Sequence, residues 1–204
     1  MIEKKSDCIQ IHHYHPPMGF TLPEVMLALS FGSLIVLSAA KIYPQFHKQV
    51  ATVYQHYRLE QAMRQVMLTI EKDVRRAGFC HQQCSGSAIA FSQDRGEMKN
   101  SCMIVAYDLN RNGHWEDEGH TKSEYFGYRL RHGALEAQRG ERNCFGNGWE
   151  KLFDPQEIKV THFTVTPVGD LTSGNLFKLQ LAANSIRDPA VQLEINSVIH
   201  GKNL

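Results

Sequence analysis

Gly19-Phe20-Thr21-Leu22-Pro23-Glu24, with the apolar run that this stretch opens, decides how the chain is organised; the run continues to Ala40 with no charge after Glu24. Residues Phe20 to Ala40, at a rise of about 1.5 Å each, make a helix about 31 Å long, which matches the hydrocarbon thickness of a bilayer. Pro23 would break a helix interior. In a helix beginning near Phe20 it falls in the first turn, where a missing N–H loses no hydrogen bond. Glu24 needs a different account, because a charge at the centre of a membrane helix costs about 2.5–3.5 kcal/mol on insertion scales. An acid just inside an apolar span calls for a cationic partner, and a free amino terminus is one.

These residues resemble the class III signal of type IV prepilins, in which a glycine precedes phenylalanine, an acid at the fifth mature position and an apolar helix. The resemblance implies that prepilin peptidase cuts after Gly19 and N-methylates Phe20, and that Glu24 meets the amino terminus of a neighbouring subunit. It also implies a type IV pilin-like architecture. Two other readings use the same residues. Thr21-x-x-Glu24 ahead of an apolar run is a capping box, a helix start that implies no protease. Ser38-Ala39-Ala40 has the small-x-small character of a secretory cleavage site, although the apolar core is longer than the usual 7–15 residues. The first residue of the mature protein separates the two cleavage readings: Phe20 in one, Lys41 in the other.

The chain has 204 residues, 42% of them hydrophobic, which is room for one anchor and one domain. A formal net charge of +1 gives no electrostatic case for direct contact with nucleic acid. In residues 1–19 Lys4 and Lys5 balance Glu3 and Asp7, and the tract His12-His13-Tyr14-His15 falls in a segment expected to be removed. Cys8 falls there too. Cys80, Cys84, Cys102 and Cys144 remain, and outside the cytoplasm an even number favours two disulfides with three possible connectivities. Adjacency favours Cys80 with Cys84 and Cys102 with Cys144. A zinc site at Cys80 and Cys84 with His81 is the rival, but Cys-x3-Cys lacks a second pair of comparable spacing.

Beyond the span, Pro44 is expected to bend the helix or interrupt its hydrogen bonding. Leu59, Met63, Val66, Met67, Ile70, Val74 and Ala77 then recur at steps of three and four, the stripe of an amphipathic helix. Arg58, Glu60, Arg64, Glu71, Lys72 and Arg75 occupy the other face, and Gly78 is the expected stop. Glu71-Lys72-Asp73-Val74-Arg75-Arg76-Ala77-Gly78-Phe79 resembles the helix end of PilW-like minor pilins, including the group called prepilin peptidase-dependent protein B. From residue 86 the period becomes alternating, with strands expected at Cys102 to Leu109, Glu124 to Arg131, Ala134 to Arg139, Lys159 to Thr166, Leu176 to Ala183 and Val191 to Val198. His132-Gly133 reads as a hairpin turn. Helix first and strands afterwards predict an α+β fold, with one antiparallel sheet over the amphipathic half of the helix.

The segment from Asp108 through Asn110, Asn112, Gly113, Glu116 and Glu118 resembles the opening of a calcium loop: oxygen side chains alternate, and a glycine falls where the turn needs one. The twelfth place, which wants a bidentate acid, is Gly119, so Glu116 or Glu118 would have to substitute. A solvated turn on Asn112-Gly113 is the alternative. No cofactor is expected, with calcium at this loop the one candidate. No Gly-x-Ser-x-Gly, His-Glu-x-x-His or Walker loop occurs, so no enzyme is expected.

The expected organisation is a leader at 1–19, a transmembrane and assembly helix at 20–40, an amphipathic continuation at 41–78 and a periplasmic β-rich domain at 79–204. By resemblance the chain is a minor pilin or pseudopilin of the inner membrane, its N-terminus cytoplasmic and its domain periplasmic or at a filament tip. Its partners would be prepilin peptidase, other minor pilins, the major pilin, the assembly platform and membrane lipid. The alternatives are a membrane-anchored periplasmic binding protein outside any filament, calcium-dependent or not, and a secreted enzyme freed after Ala40.

Overall fold

The computed structural model describes residues 19–116, 122–169 and 175–204. The chain forms two units divided between Lys48 and Gln49. A single helix, α1 (Leu22–Arg76), supplies nearly all of the described part of the first unit and the opening element of the second. The helix continues past Pro44, although the proline has no N–H to give the Ala40 carbonyl. A helix this long keeps its neighbouring turns bonded when one N–H is missing.

In the first unit α1 is apolar all round and its large side chains, Leu27, Phe31 and Ile35 among them, are exposed. The segment is long and apolar enough to cross a membrane. Its hydroxyls are satisfied within the helix: Ser30 Oγ donates to the Met26 carbonyl at 2.8 Å, and Ser38 Oγ to that of Leu34 at 2.8 Å. In hydrocarbon, where no water is available, that internal pairing is required.

In the second unit α1 buries one stripe, Leu59, Met63, Met67, Ile70 and Val74. The strands that cover it form two antiparallel sheets rather than the one expected. The first contains β1 (Ile89–Ser92), β2 (Cys102–Ala106), β3 (Tyr125–Arg131), β4 (Ala134–Arg139) and β5 (Glu150–Lys151), in that order. The second contains β6 (Ile158–Val168), β7 (Leu176–Ser185) and β8 (Gln192–His200), also in sequence order. Backbone bonds from Val160 N–H to the Gly133 carbonyl (2.8 Å) and from Val165 N–H to the Asn100 carbonyl (3.0 Å) tie β6 to the loops of the first sheet. Alternation specifies which side of a strand is dry but not which strand lies beside it, so the division into two sheets is absent from the pattern.

The helix stripe, Met103 and Val105 of β2, Tyr128 and Leu130 of β3, Phe163 and Val165 of β6, Leu179 and Leu181 of β7 and Ile199 of β8 form one core. Each such side chain contributes about 1.5–3 kcal/mol by leaving water. Strand β2 is buried on both faces: Cys102, Ile104 and Ala106 point into a second cluster with Tyr125 and Cys144, flanked by Trp115 and Trp149. The turn His132-Gly133 joins β3 to β4 with Arg131 opposite Ala134, and both turn residues have positive φ (51° and 74°), as a two-residue primed turn requires.

At the helix end Gly78 has φ +83°, and its N–H donates to the Ala106 carbonyl at 2.9 Å. A Cβ there would lie 2.2 Å from the Asn203 carbonyl oxygen, so only glycine lets the chain turn beneath the C-terminal segment. Disulfides join Cys80 to Cys84 and Cys102 to Cys144. The sulfurs of Cys80 and Cys84 lie near the Asp108 carboxylate, but thiols spent in a disulfide leave no thiolates for the zinc reading.

Candidate functional site

The N-terminal segment and the Asp108 loop are two separate sites, one in each unit. At the first, Thr21 precedes the helix, and its N–H and its hydroxyl both donate to Glu24 Oε2, at 2.9 and 2.8 Å. The Val25 N–H closes the first helical turn on the Thr21 carbonyl at 3.2 Å. Glu24 therefore acts as the reciprocal half of a capping box. Every group in that box lies C-terminal to the Gly19–Phe20 bond, so a cut there leaves the helix start intact. Gly19 has open space around it, and Phe20 is 86% exposed. Among the described residues Glu24 Oε1 accepts no hydrogen bond, which leaves one carboxylate oxygen to face outward from an otherwise apolar surface.

The second site begins where β2 stops. The strand expected to run to Leu109 ends at Ala106, because the next residues turn to meet the helix end and a carboxylate. The Asp108 N–H donates to the Phe79 carbonyl at 2.8 Å, and the N–H groups of Leu109 and Asn110 donate to Glu124 Oε1 at 2.6 and 3.0 Å. Asp108, buried, accepts from the N–H groups of Asn112 (3.1 Å), Gly113 (2.9 Å) and His81 (3.0 Å). Burial works against its charged form, but the N–H donors of His81, Gly113, Arg111 and Asn112 outweigh it and hold the carboxyl below its usual range. Gly113 at φ +84° makes the sharp turn.

Glu116 Oε1 accepts from the side-chain amides of Asn110 (2.9 Å) and Asn112. Burial opposes its ionisation, while the Asn110 amide, the neighbouring Glu124 carboxyl and the Asn112 amide prevail and lower its pKa. Glu124 is pushed the other way, first by burial and then by the Glu116 carboxyl that faces it. Asp108, Asn110, Asn112 and Glu116 thus come together as their spacing anticipates, whereas Glu118 and Gly119 lie outside the described residues. Glu124 joins them unannounced. It reads in the sequence as the first residue of a strand, and an acid preceding the buried Tyr125 is the one signal of its role.

Two further buried charges went unmarked. Asp73, 4% exposed, lies on the dry side of α1 and accepts from the hydroxyls of Tyr107 (3.1 Å) and Tyr128 (2.6 Å). Burial first, and the Asp73 charge next, raise both tyrosines above their ordinary range. Arg129, 2% exposed, donates to Glu136 Oε2 and to the Cys144 carbonyl, both at 2.8 Å, with its guanidinium 4.3 Å from the Trp149 ring centre.

The family model described as "Prepilin peptidase-dependent protein B" matches residues 52–201. A relative named "Prepilin peptidase-dependent protein B" in Escherichia coli is 30% identical over 186 residues, covering 91% of this chain and 97% of that one. An "Uncharacterized protein" of Haemophilus influenzae is 25% identical over 191 residues, 71% of this chain and 79% of its own. No solved structure gives a significant match. With the matched region spanning the whole β-rich unit and the second half of α1, the chain belongs to the prepilin peptidase-dependent protein B family.

Proposed function

We propose that this protein is a minor pilin or pseudopilin that co-assembles through α1 and helps prime a type IV pilus or a type II secretion pseudopilus. Prepilin peptidase cuts between Gly19 and Phe20 and methylates Phe20. The domain stands in the periplasm, and the protein meets other minor pilins, the major pilin and the assembly platform through its helix and head. The observation that carries the reading is Glu24, a lone carboxylate at the opening of an exposed apolar helix, with one oxygen free of donors among the described residues. In hydrocarbon an ammonium partner beside this carboxylate offsets the cost of inserting its charge, so a neighbour's new amino terminus makes the acid tolerable.

The test is processing and crosslinking in cells with and without prepilin peptidase. The mature chain should begin at Phe20 only where the peptidase is present, and Glu24→Ala should be processed normally yet lose crosslinks to partner subunits. Processing that is independent of the peptidase refutes the cleavage. Undiminished crosslinking of Glu24→Ala refutes the charge pairing.

A further inference from the structure

We propose that the Asp108–Glu116 loop and Glu124 together bind one calcium ion, with Glu116 and Glu124 as its charged side-chain ligands and Asp108 as the anchor of the loop. A row of acids and amides in a loop would not carry this alone. The independent observation is Glu124, which comes from outside the loop, is 1% exposed and has an Oε2 with no hydrogen-bond partner among the described residues. Its Oε1 is fixed by the Leu109 and Asn110 N–H groups, so the carboxyl is held against the loop's opening beside that of Glu116. Glu116 Oε2 is likewise buried and, among the described residues, without a partner. Two buried acceptor oxygens on neighbouring carboxyls call for a positive partner, because an unpaired buried acceptor costs about 1–3 kcal/mol and more when charged.

The chemistry selects the cation. The unpartnered groups are carboxylate oxygens, the ligands of a hard ion that takes oxygen donors in a flexible shell, completed by water. The nearby sulfurs of Cys80 and Cys84 are bonded to each other. Ligation would tie the loop to the start of β3. Through Asp108, whose Oδ2 holds the His81 N–H and whose own N–H reaches the Phe79 carbonyl, it would also tie the loop to the segment after α1. A cation there brings the helix end, the Cys80–Cys84 turn and the first sheet under one clamp. A proton shared by Glu116 and Glu124 would satisfy the same two oxygens, and the experiment separates the two.

The full chain in detergent is melted in calcium, in magnesium and in chelator, and titrated with calcium by calorimetry. One site per chain is expected, with Kd on the order of 10⁻⁴–10⁻³ M, the range of extracellular modules. In 10 mM calcium Tm should rise by about 4–8 °C over chelator, with magnesium giving less than half the rise. Glu116→Gln, which keeps the side chain's size and an acceptor for the loop amides, should weaken binding about tenfold or more, and Glu124→Gln should abolish the Tm rise. The same Tm in calcium and chelator, as a shared proton would give, overturns the proposal. So does an undiminished calcium response in Glu116→Gln, or an equal response to magnesium.

Discussion

Removing the Asp73 carboxylate should destabilise the β-rich unit far more than its position near the end of a helix suggests. Asp73 is buried and is the acceptor for two buried phenols, Tyr107 at 3.1 Å and Tyr128 at 2.6 Å. Asp73→Ala leaves both hydroxyls without an acceptor in a dry core, at about 1–3 kcal/mol each, so the loss is about 2–6 kcal/mol. At about 2–4 °C per kcal/mol for a domain of this size, Tm should fall by at least about 4 °C. The discriminating experiment is a cycle in urea, in which Asp73→Ala is measured alone and in a Tyr107→Phe, Tyr128→Phe background. With no phenol left to strand, the same substitution should cost much less, because deleting every member of a buried polar set removes the desolvation penalty with the bonds. An equal loss in both backgrounds would refute the clamp and leave Asp73 with a role unrelated to the tyrosines.

Arg129→Met should cost about 3–5 kcal/mol, because it strands Glu136 in the same dry corner, and adding Glu136→Leu should recover part of that loss; urea midpoints of the single and double variants check this. Gly78→Ala should lower Tm more than Gly96→Ala. Both positions have φ near +84°, but a Cβ at Gly96 meets nothing within 4 Å whereas one at Gly78 collides with the Asn203 backbone, so the difference between the two melts isolates the collision.

Much of the long helix was legible because its periodicity is strong: apolar residues at steps of three and four, then a glycine two places beyond the observed end at Arg76. The β3–β4 hairpin was equally readable, since His132-Gly133 sits between two alternating runs and a two-residue turn leaves no freedom of register. Reading failed where a side chain distant in sequence overrides the local pattern. Strand β2 loses Tyr107, Asp108 and Leu109 because the Phe79 carbonyl takes the Asp108 N–H and the Glu124 carboxylate takes those of Leu109 and Asn110, and nothing in the run itself reveals that. Asp73 follows Ile70 by three and precedes Ala77 by four, so helical geometry places it on the dry stripe; its charge disguised the position. Strands β1 and β5, at four and two residues, are too short for alternation to register. The Asp108 loop showed its oxygens at even spacing, but an acid sixteen places after Asp108, reached by tertiary folding, lies outside any loop template.

The sheet orders carry an implication for how the chain acquires its structure. Within each sheet every strand pairs with its neighbours in sequence, so a chain made from its N-terminus can zip each hairpin soon after the second strand emerges, the longest connection being residues 107–124 between β2 and β3. The stripe from Leu59 to Ala77 has the opposite timetable. It is made first, yet its cover is spread from β2 to β8, so it stays wet until nearly the last strand has arrived. The nascent protein therefore passes through an interval in which its hairpins are closed and its oiliest face is bare, and that is when a holdase or an early collision between copies has the most influence on its fate.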